Sequence, residues 1–325
     1  MRSGLVEIVL CTFNGSKYIE AMMDSIIVQT YENWELWISD DGSEDNTISI
    51  VRKYAETYSE KIHILPEHAP LGACTNFLKT LTGAQLNEAE YYMFADQDDV
   101  WFPDKIEKLV AAMRMEEQLE REETPLLIHS DCRVTDQNLQ TIAPSFTAYM
   151  GYNQTMKSLP HLLVQNNVVG ASVLFNRALR NRIHSVPQSA VMHDHWIALV
   201  AAVFGRIVYL PEATYDYRQH AENVIGAREG GMWRELLDKM CSFQRSGGDT
   251  KRKNSNKTDG YDALFRQCAE FLEIYGNEME TDDRERAKRF LSIPGSSRFR
   301  KIKIVLENGF VYDKMYRTMG ELFFI

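Results

Sequence analysis

Short apolar runs that end in carboxylate-rich turns alternate with stretches whose apolar residues recur at helical spacing. The segment Val6-Glu-Ile-Val-Leu10 reads as a buried strand, closed by the turn Thr12-Phe-Asn-Gly15. Ile19, Met22, Met23, Ile26 and Ile27 then predict a helix over 18–29. A second strand, 34–39, stops at Asp40-Asp41-Gly42-Ser43, and Asp45-Asn46-Thr47 opens a helix reaching about Tyr58. Further strands are predicted over 61–65, 91–95, 126–130, 170–176 and 207–210, with helices over 72–81, 103–113 and 194–204. Residues 136–158 show no clear period and read as a long irregular excursion. This strand, turn, helix rhythm predicts an α/β fold with a mostly parallel central sheet flanked by helices, whose ligands bind at the carboxyl ends of the strands.

After Arg228 the pattern changes to charged helices, so the expected organisation is a domain over 1–228, with halves of about 1–100 and 101–228, and a helical region over 229–325. Within the latter, Ser246 to Thr258 is rich in Gly, Ser, Asn and Lys and reads as a mobile polar linker. The final stretch, Arg298 to Ile325, combines Arg298, Arg300, Lys301, Lys303, Lys314 and Arg317 with Phe299, Ile302, Val305, Leu306 and Phe310. This basic amphipathic tail is suited to an anionic membrane surface, or equally to packing on the catalytic domain or forming a dimer contact.

Composition sets the outer limits. The chain has 325 residues, 44% hydrophobic and 25% charged, enough to bury a core without disulfides or structural metals. Its five cysteines are scattered with no C-x-x-C pair, which points to a reducing cytoplasm. No run reaches the roughly 18 apolar residues of a spanning helix. A net charge of −10 argues against nucleic-acid binding, yet leaves room for a phosphate ligand whose charge a metal ion offsets.

The acidic residues matter most where they cluster: Asp40 and Asp41 after one strand, and Asp96, Asp98 and Asp99 after another. Carboxylates crowded into one turn repel, and a hard divalent cation holding a diphosphate is the simplest compensation. Aspartates also cap helices, and for Asp99 or Asp45 alone a cap is as good a reading; Asp96 with Asp98 favours the cation. Two further clusters are Met192-His-Asp-His-Trp196, where Asp194 reads as a helix cap or as a general base, and Tyr215-Asp-Tyr-Arg-Gln-His220, whose histidine suits a metal shell.

Taken together these motifs resemble glycosyltransferase family 2, the inverting nucleotide-sugar transferases of the GT-A fold, over roughly Val6 to Asn223. The resemblance implies that Thr12, Phe13 and Asn14 line the base and ribose pocket and that Asp40 and Asp41 contact the nucleotide. It makes Asp96-Gln-Asp98 the D-x-D motif, with Asp96 near the ribose of the nucleotide and Asp98, Asp96 and His220 around Mn²⁺ or Mg²⁺. It also makes Asp194 the catalytic base and puts Arg218 near phosphate. Trp101, Gly170, Asn166, His193 and Trp196 fall along the sugar and acceptor side. His193 stands where family members often carry Glu, and Thr75-Asn-Phe77 stands where an arginine often follows the glycine.

The form Asp-Gln-Asp-Asp-Val-Trp, with His-Asp-His-Trp and Tyr-Arg-Gln-His, resembles bacterial rhamnosyltransferases of O-antigen or capsule synthesis most closely. That implies dTDP-L-rhamnose as donor, with UDP-galactose or UDP-glucose as alternatives, and a glycan or lipid-linked acceptor at the inner face of the plasma membrane. A homodimer is compatible with the tail. Against this stand a catalytically idle nucleotide-sugar-binding partner protein, which would be expected to have lost the carboxylates, and a dinucleotide dehydrogenase. The latter fails because Thr-Phe-Asn-Gly replaces the glycine fingerprint after the first strand.

Overall fold

The computed structural model describes residues 4–83, 85–86, 89–121, 123–220 and 250–314 together with Thr318; of 250–260 it describes the backbone. The chain divides into two compact units: Met1–Phe146 with Val168–Gln188 and Met192–Gly226, and Thr147–Asn167 with Ser189–Val191 and Ala227–Ile325. The second unit therefore takes in a stretch of the region expected over 1–228 as well as the C-terminal helices. The expected linker over 246–258 is only partly within the described residues, and there it is helical: 250–258 lie inside a helix over Thr250–Tyr275. No proline interrupts these residues, and their lysines and arginine favour helix.

In the first unit the elements run β1 (Val6–Thr12), α1 (Ile19–Ile27), β2 (Trp34–Asp40), α2 (Thr47–Thr57), β3 (Ile62–Ile64), α3 (Ala73–Thr82), β4 (Tyr91–Asp96), β5 (Val100–Trp101), α4 (Lys105–Glu117), β6 (Leu126–Thr135) and β7 (Thr141–Ala143). α5 (Phe146–Met150), beyond its first residue, and α6 (Leu159–Leu162) fall in the second unit, and the first resumes with a 3-10 turn (Gly170–Ser172), β8 (Val173–Asn176), α7 (Arg177–Arg182), α8 (His193–Phe204) and β9 (Arg206–Arg218). The sheet order is β3-β2-β1-β4-β8-β6-β9-β5, with β7 beside β6. β1 is buried along nearly its whole length, as befits a central strand covered on both faces.

Register explains why motifs far apart in sequence meet. β1 lies parallel to β2 and β4, pairing Thr12 with Asp40 and Cys11 with Asp96. Three strand-end turns are thus aligned on one sheet edge. The ladders of β1 with β2 and β4, of β2 with β3 and of β6 with β9 are parallel as expected, and β8 runs antiparallel to both β4 and β6. β9 also extends well past the expected 207–210. Its ladder with β6 shifts register near Ser130 and Asp131, opposite the stretch where Pro211 and Glu212 break the apolar run. The extension lets β9 pair with β5, Trp101 opposite Tyr215, and so carries Arg218 to the Asp98-Asp99 turn.

The second unit holds α9 (Thr250–Tyr275), α10 (Thr281–Leu291) and α11 (Arg298–Asn308). Phe290 joins Phe265 and Phe310 in one aromatic cluster. His161 Nδ1 lies 2.8 Å from the Val311 carbonyl, and Gln165 donates to Asp313 at 2.9 Å, so the segment following α11 is anchored within the unit. α11 buries Val305 but exposes Arg298, Phe299, Arg300, Lys303 and Leu306, with Phe299 88% exposed. Arg317 and residues 319–325 of the expected tail lie outside the described residues.

Candidate active site

The loops after β1 and β2 are tied together by side chains that the sequence reading assigned to the nucleotide. Asp40 accepts hydrogen bonds from Thr12 Oγ1 at 2.7 Å and from Ser43 N at 2.8 Å. Asp41 accepts from the backbone N–H groups of Leu71 and Gly72 at 2.6 and 2.8 Å, clamping the loop that leads into α3. Asn14 adopts a left-handed backbone, φ 47°, and its Oδ1 accepts from Glu44 N. Phe13, 53% exposed, is left presenting its ring to solvent.

The middle residue of Asp96-Gln-Asp98 has a role that spacing alone did not reveal. Gln97 receives a hydrogen bond from Phe13 N and gives one to Phe13 O, both at 2.9 Å, clasping the β1 loop to the β4 turn. Gly15 makes room for it: a Cβ there would fall 2.2 Å from Gln97 Oε1. The expected metal residues sit beside this clasp. His220 Nε2 lies 2.7 Å from Asp98 Oδ2, and Arg218 donates from Nε to Asp98 O at 2.8 Å and from its N–H to Asp99 at 3.2 Å. Tyr18, at the start of the expected helix over 18–29, packs against both partners. Its ring centroid is 4.6 Å from that of His220 and 4.8 Å from the Arg218 guanidinium carbon. Burial, then the charges of Asp98 and Asp194, push Asp96 up to about 7. Burial also raises Asp99, whose Oδ2 has no hydrogen-bond partner among the described residues.

For a divalent cation this donor set is apt. Asp98 offers hard oxygen and His220 a borderline nitrogen, a mixture that suits Mn²⁺ well. Among the described residues no group of three His, Cys, Asp or Glu side chains is gathered on one point.

Asp194 lies in the first turn of α8, whose N-cap is Met192, so its carboxylate is not the cap. Instead Oδ2 accepts from Gly170 N at 2.9 Å and Oδ1 from His195 N at 2.6 Å. Burial pushes Asp194 up to about 7, with these two N–H groups pulling the other way. Gly170 is needed for the approach, since a Cβ there would lie 2.7 Å from His193 Nε2. His193 is buried, stacked on Phe77 at 4.0 Å, and burial lowers its imidazole to about 3. Trp101 and Trp196, expected along the sugar and acceptor side, are 2% and 0% exposed and form the packing beneath it. Asn166 belongs to the second unit.

An α/β fold that gathers carboxylates at one strand edge, with a half-buried aspartate held by two N–H groups, is arranged to bind a polar ligand and to take up a proton. Residues 7–118 match the model of glycosyl transferase family 2. The chain is 27% identical over 220 residues to the dTDP-rhamnosyl transferase RfbG of Shigella flexneri, covering 67% of this chain and 74% of that protein. Further relatives, 29–36% identical, match over 32–40% of this chain and 17–46% of their own length. Among solved structures, S. aureus TarS 1-349 in complex with UDP-GlcNAc superposes with TM-score 0.56 and 15% identity over 93% of this chain and 80% of that one. Mannosyltransferase PcManGT from Pyrobaculum calidifontis, in complex with GDP-Man and Mn²⁺, superposes with TM-score 0.51 and 17% identity over 94% and 84%. The chain shares the GT-A fold of these structures, and its residues 7–118 are similar to glycosyl transferase family 2.

Proposed function

We propose that the protein transfers a sugar with inversion from a nucleotide-diphosphate donor, dTDP-L-rhamnose, to a glycan or lipid-linked acceptor of a bacterial surface polysaccharide. The observation that carries the reading is Asp194, a half-buried carboxylate held by Gly170 and His195 N–H groups in the same unit as the strand-end aspartates. In a single displacement its carboxylate takes the proton of an acceptor hydroxyl as that oxygen bonds to the anomeric carbon. The bond from that carbon to the diphosphate oxygen breaks, and the electron pair leaves with the nucleoside diphosphate. Asp98 and His220, with Asp96 beside them, would hold a divalent cation, which when bound supplies charge neutralisation to the leaving diphosphate. Phe13 offers its exposed ring to the base. Arg218 sits at the same turn, and its guanidinium adds a fixed positive charge there.

The likeness to a dTDP-rhamnosyl transferase supports dTDP-L-rhamnose as donor, with UDP-glucose and UDP-galactose as competitors. A donor screen with Mn²⁺, read by mass spectrometry of released nucleoside diphosphate, tests it. Turnover is expected with dTDP-L-rhamnose at least tenfold above the UDP-hexoses, and preference for a UDP-hexose would overturn the assignment.

No helix of the described residues is long and apolar enough to cross a membrane. For contact with an anionic leaflet we rely on the exposed α11 face of Phe299, Arg300 and Lys303. Each basic residue near such a surface contributes about 1 kcal/mol, so reversing Arg300 and Lys303 to Glu is expected to weaken vesicle binding by about tenfold or more. Co-sedimentation with anionic vesicles reads this, and unchanged binding would assign the face to another role. Substitution is preferable to truncation, which would also remove Val311 and Asp313, the partners of His161 and Gln165.

A further inference from the structure

Lys105 is the first residue of α4 and has no exposed surface, a rare fate for a lysine. Its three donors are directed inward. Nζ donates to the Ala171 carbonyl at 2.5 Å, and it stands 4.3 Å from the centroid of Trp101 and 3.9 Å from that of Tyr215. One carbonyl and two ring faces thus replace the water that a buried ammonium gives up. All four residues belong to the first unit.

The partners are informative. Trp101 and Tyr215 are paired across β5 and β9, directly after the Asp98-Asp99 turn and three residues before Arg218. Ala171 belongs to the 3-10 turn whose Gly170 N–H is bonded to Asp194. The lysine thus meets both halves of the site from below: the turn that bears Asp98 and Asp99, and the backbone strap that orients Asp194. Burial lowers the Lys105 ammonium to about 7, and in its charged form it favours the ionised forms of Asp96 and Asp99. A lysine at this position in a helical pattern reads from sequence as a solvated face, so the role is visible only in the packing.

We propose that Lys105 is a positioning residue for the transfer reaction, fixing the Gly170-Ala171 strap through the Ala171 carbonyl so that the Gly170 N–H holds Asp194 in place for the acceptor hydroxyl. The inference rests on Asp194 acting as the base. Lys105 touches no reacting atom and acts through the strap. Without its donor the Ala171 carbonyl loses its tie, the Gly170 hydrogen bond to Asp194 loosens, and the carboxylate both wanders and becomes harder to ionise. A displacement of the order of 1 Å in a reacting group costs about 100-fold in rate.

Lys105→Met keeps the length and bulk of the stem and removes the donors and charge. In the full chain, kcat at saturating donor and acceptor is expected to fall 10- to 100-fold, while nucleotide affinity measured by calorimetry with Mn²⁺ stays within about threefold. The acid limb of the kcat profile is expected to move up by about 0.5 to 1 pH unit, the loss of one N–H bond to the carboxylate. A purely structural lysine would lower the melting temperature and leave that limb in place. Lys105→Gln, which retains an N–H donor without the charge, is expected to recover part of kcat, and it carries the same readouts if the methionine variant does not fold. A folded variant with wild-type kcat, or one slowed without a shift of the limb, overturns the proposal. The base assignment is tested separately: an inactive Asp194→Asn beside an unaffected Lys105→Met removes the role of Lys105 alone.

Discussion

Asp194→Asn is expected to lower turnover by about 10³-fold or more, leave nucleotide binding nearly unchanged, and make the protein more stable above neutral pH. The first part follows from chemistry, because a carboxamide cannot take up the acceptor proton, and general-base contributions are about 10²- to 10⁴-fold. The stability gain follows from burial. With its folded-state value raised from 3.8 to about 7, the carboxyl favours the folded protein while it is neutral. That contribution is fully present below about pH 4 and is lost as pH rises through 7, where the buried group must ionise. Asparagine avoids the ionisation and also removes a charge that raises Asp96. It gives up one acceptor, since Gly170 and His195 N–H groups then share a single oxygen. The net gain at pH 8 is therefore about 1 to 2 kcal/mol, a rise of roughly 2 to 4 °C in melting temperature. Below about pH 4 the two proteins should melt alike, and at pH 5 the difference should be well under that at pH 8. The same shift predicts that wild-type kcat falls with acidification through an apparent value near 7. Calorimetric scans at pH 5 and 8 with a kcat profile check this, and a variant that retains normal turnover removes Asp194 as the base.

Much of this arrangement is legible in the chain because a parallel sheet converts short local signals into a shared site. Asp40 and Asp96 belong to separate strand-end turns, and the pairing of β1 with both strands makes them neighbours. Periodicity therefore locates the carboxylates without any knowledge of long-range contacts. What it leaves out depends on side chains meeting across elements. Gln97 is the position that a D-x-D pattern leaves unspecified, yet its amide length and the missing Cβ of Gly15 allow the clasp on Phe13. Tyr18 has the same apolar signature as a core residue, and its use as a platform for Arg218 and His220 needs the full extent of β9. That strand is understated by the sequence because Pro211 and Glu212 interrupt its apolar run, while the register shift opposite them absorbs the irregularity. The tryptophans err in the other direction. Aromatic rings near a sugar site suggest stacking, but Trp196 faces the core from a helix buried over most of its length. The aspartates of the nucleotide loops are double-edged too: the polarity that suits them to a ligand also lets them clamp Thr12, Ser43, Leu71 and Gly72 in place.

Asp98→Asn is expected to change nucleotide affinity in opposite directions with and without a divalent cation. With Mn²⁺ present, loss of the carboxylate removes the hard anionic donor from the pair formed with His220, and affinity for the nucleoside diphosphate should drop by about 100-fold. In a chelator the carboxylate is only a negative charge beside Asp96 and Asp99, facing a diphosphate of the same sign. At about 6 Å and an effective dielectric near 20, two unit charges repel by about 3 kcal/mol, of which roughly 1 kcal/mol survives solvent screening. Metal-free affinity should therefore stay level or rise by up to about fivefold. Removing Asp98 also takes away the largest charge acting on Asp96, so the Asp96 carboxyl should titrate lower than about 7 in the variant. A merely structural aspartate predicts something different, a loss of binding in both media through the broken contact with His220. Calorimetry of nucleoside diphosphate binding in Mn²⁺ and in EDTA separates the two, and a parallel loss in both would end the assignment of Asp98 as a metal ligand.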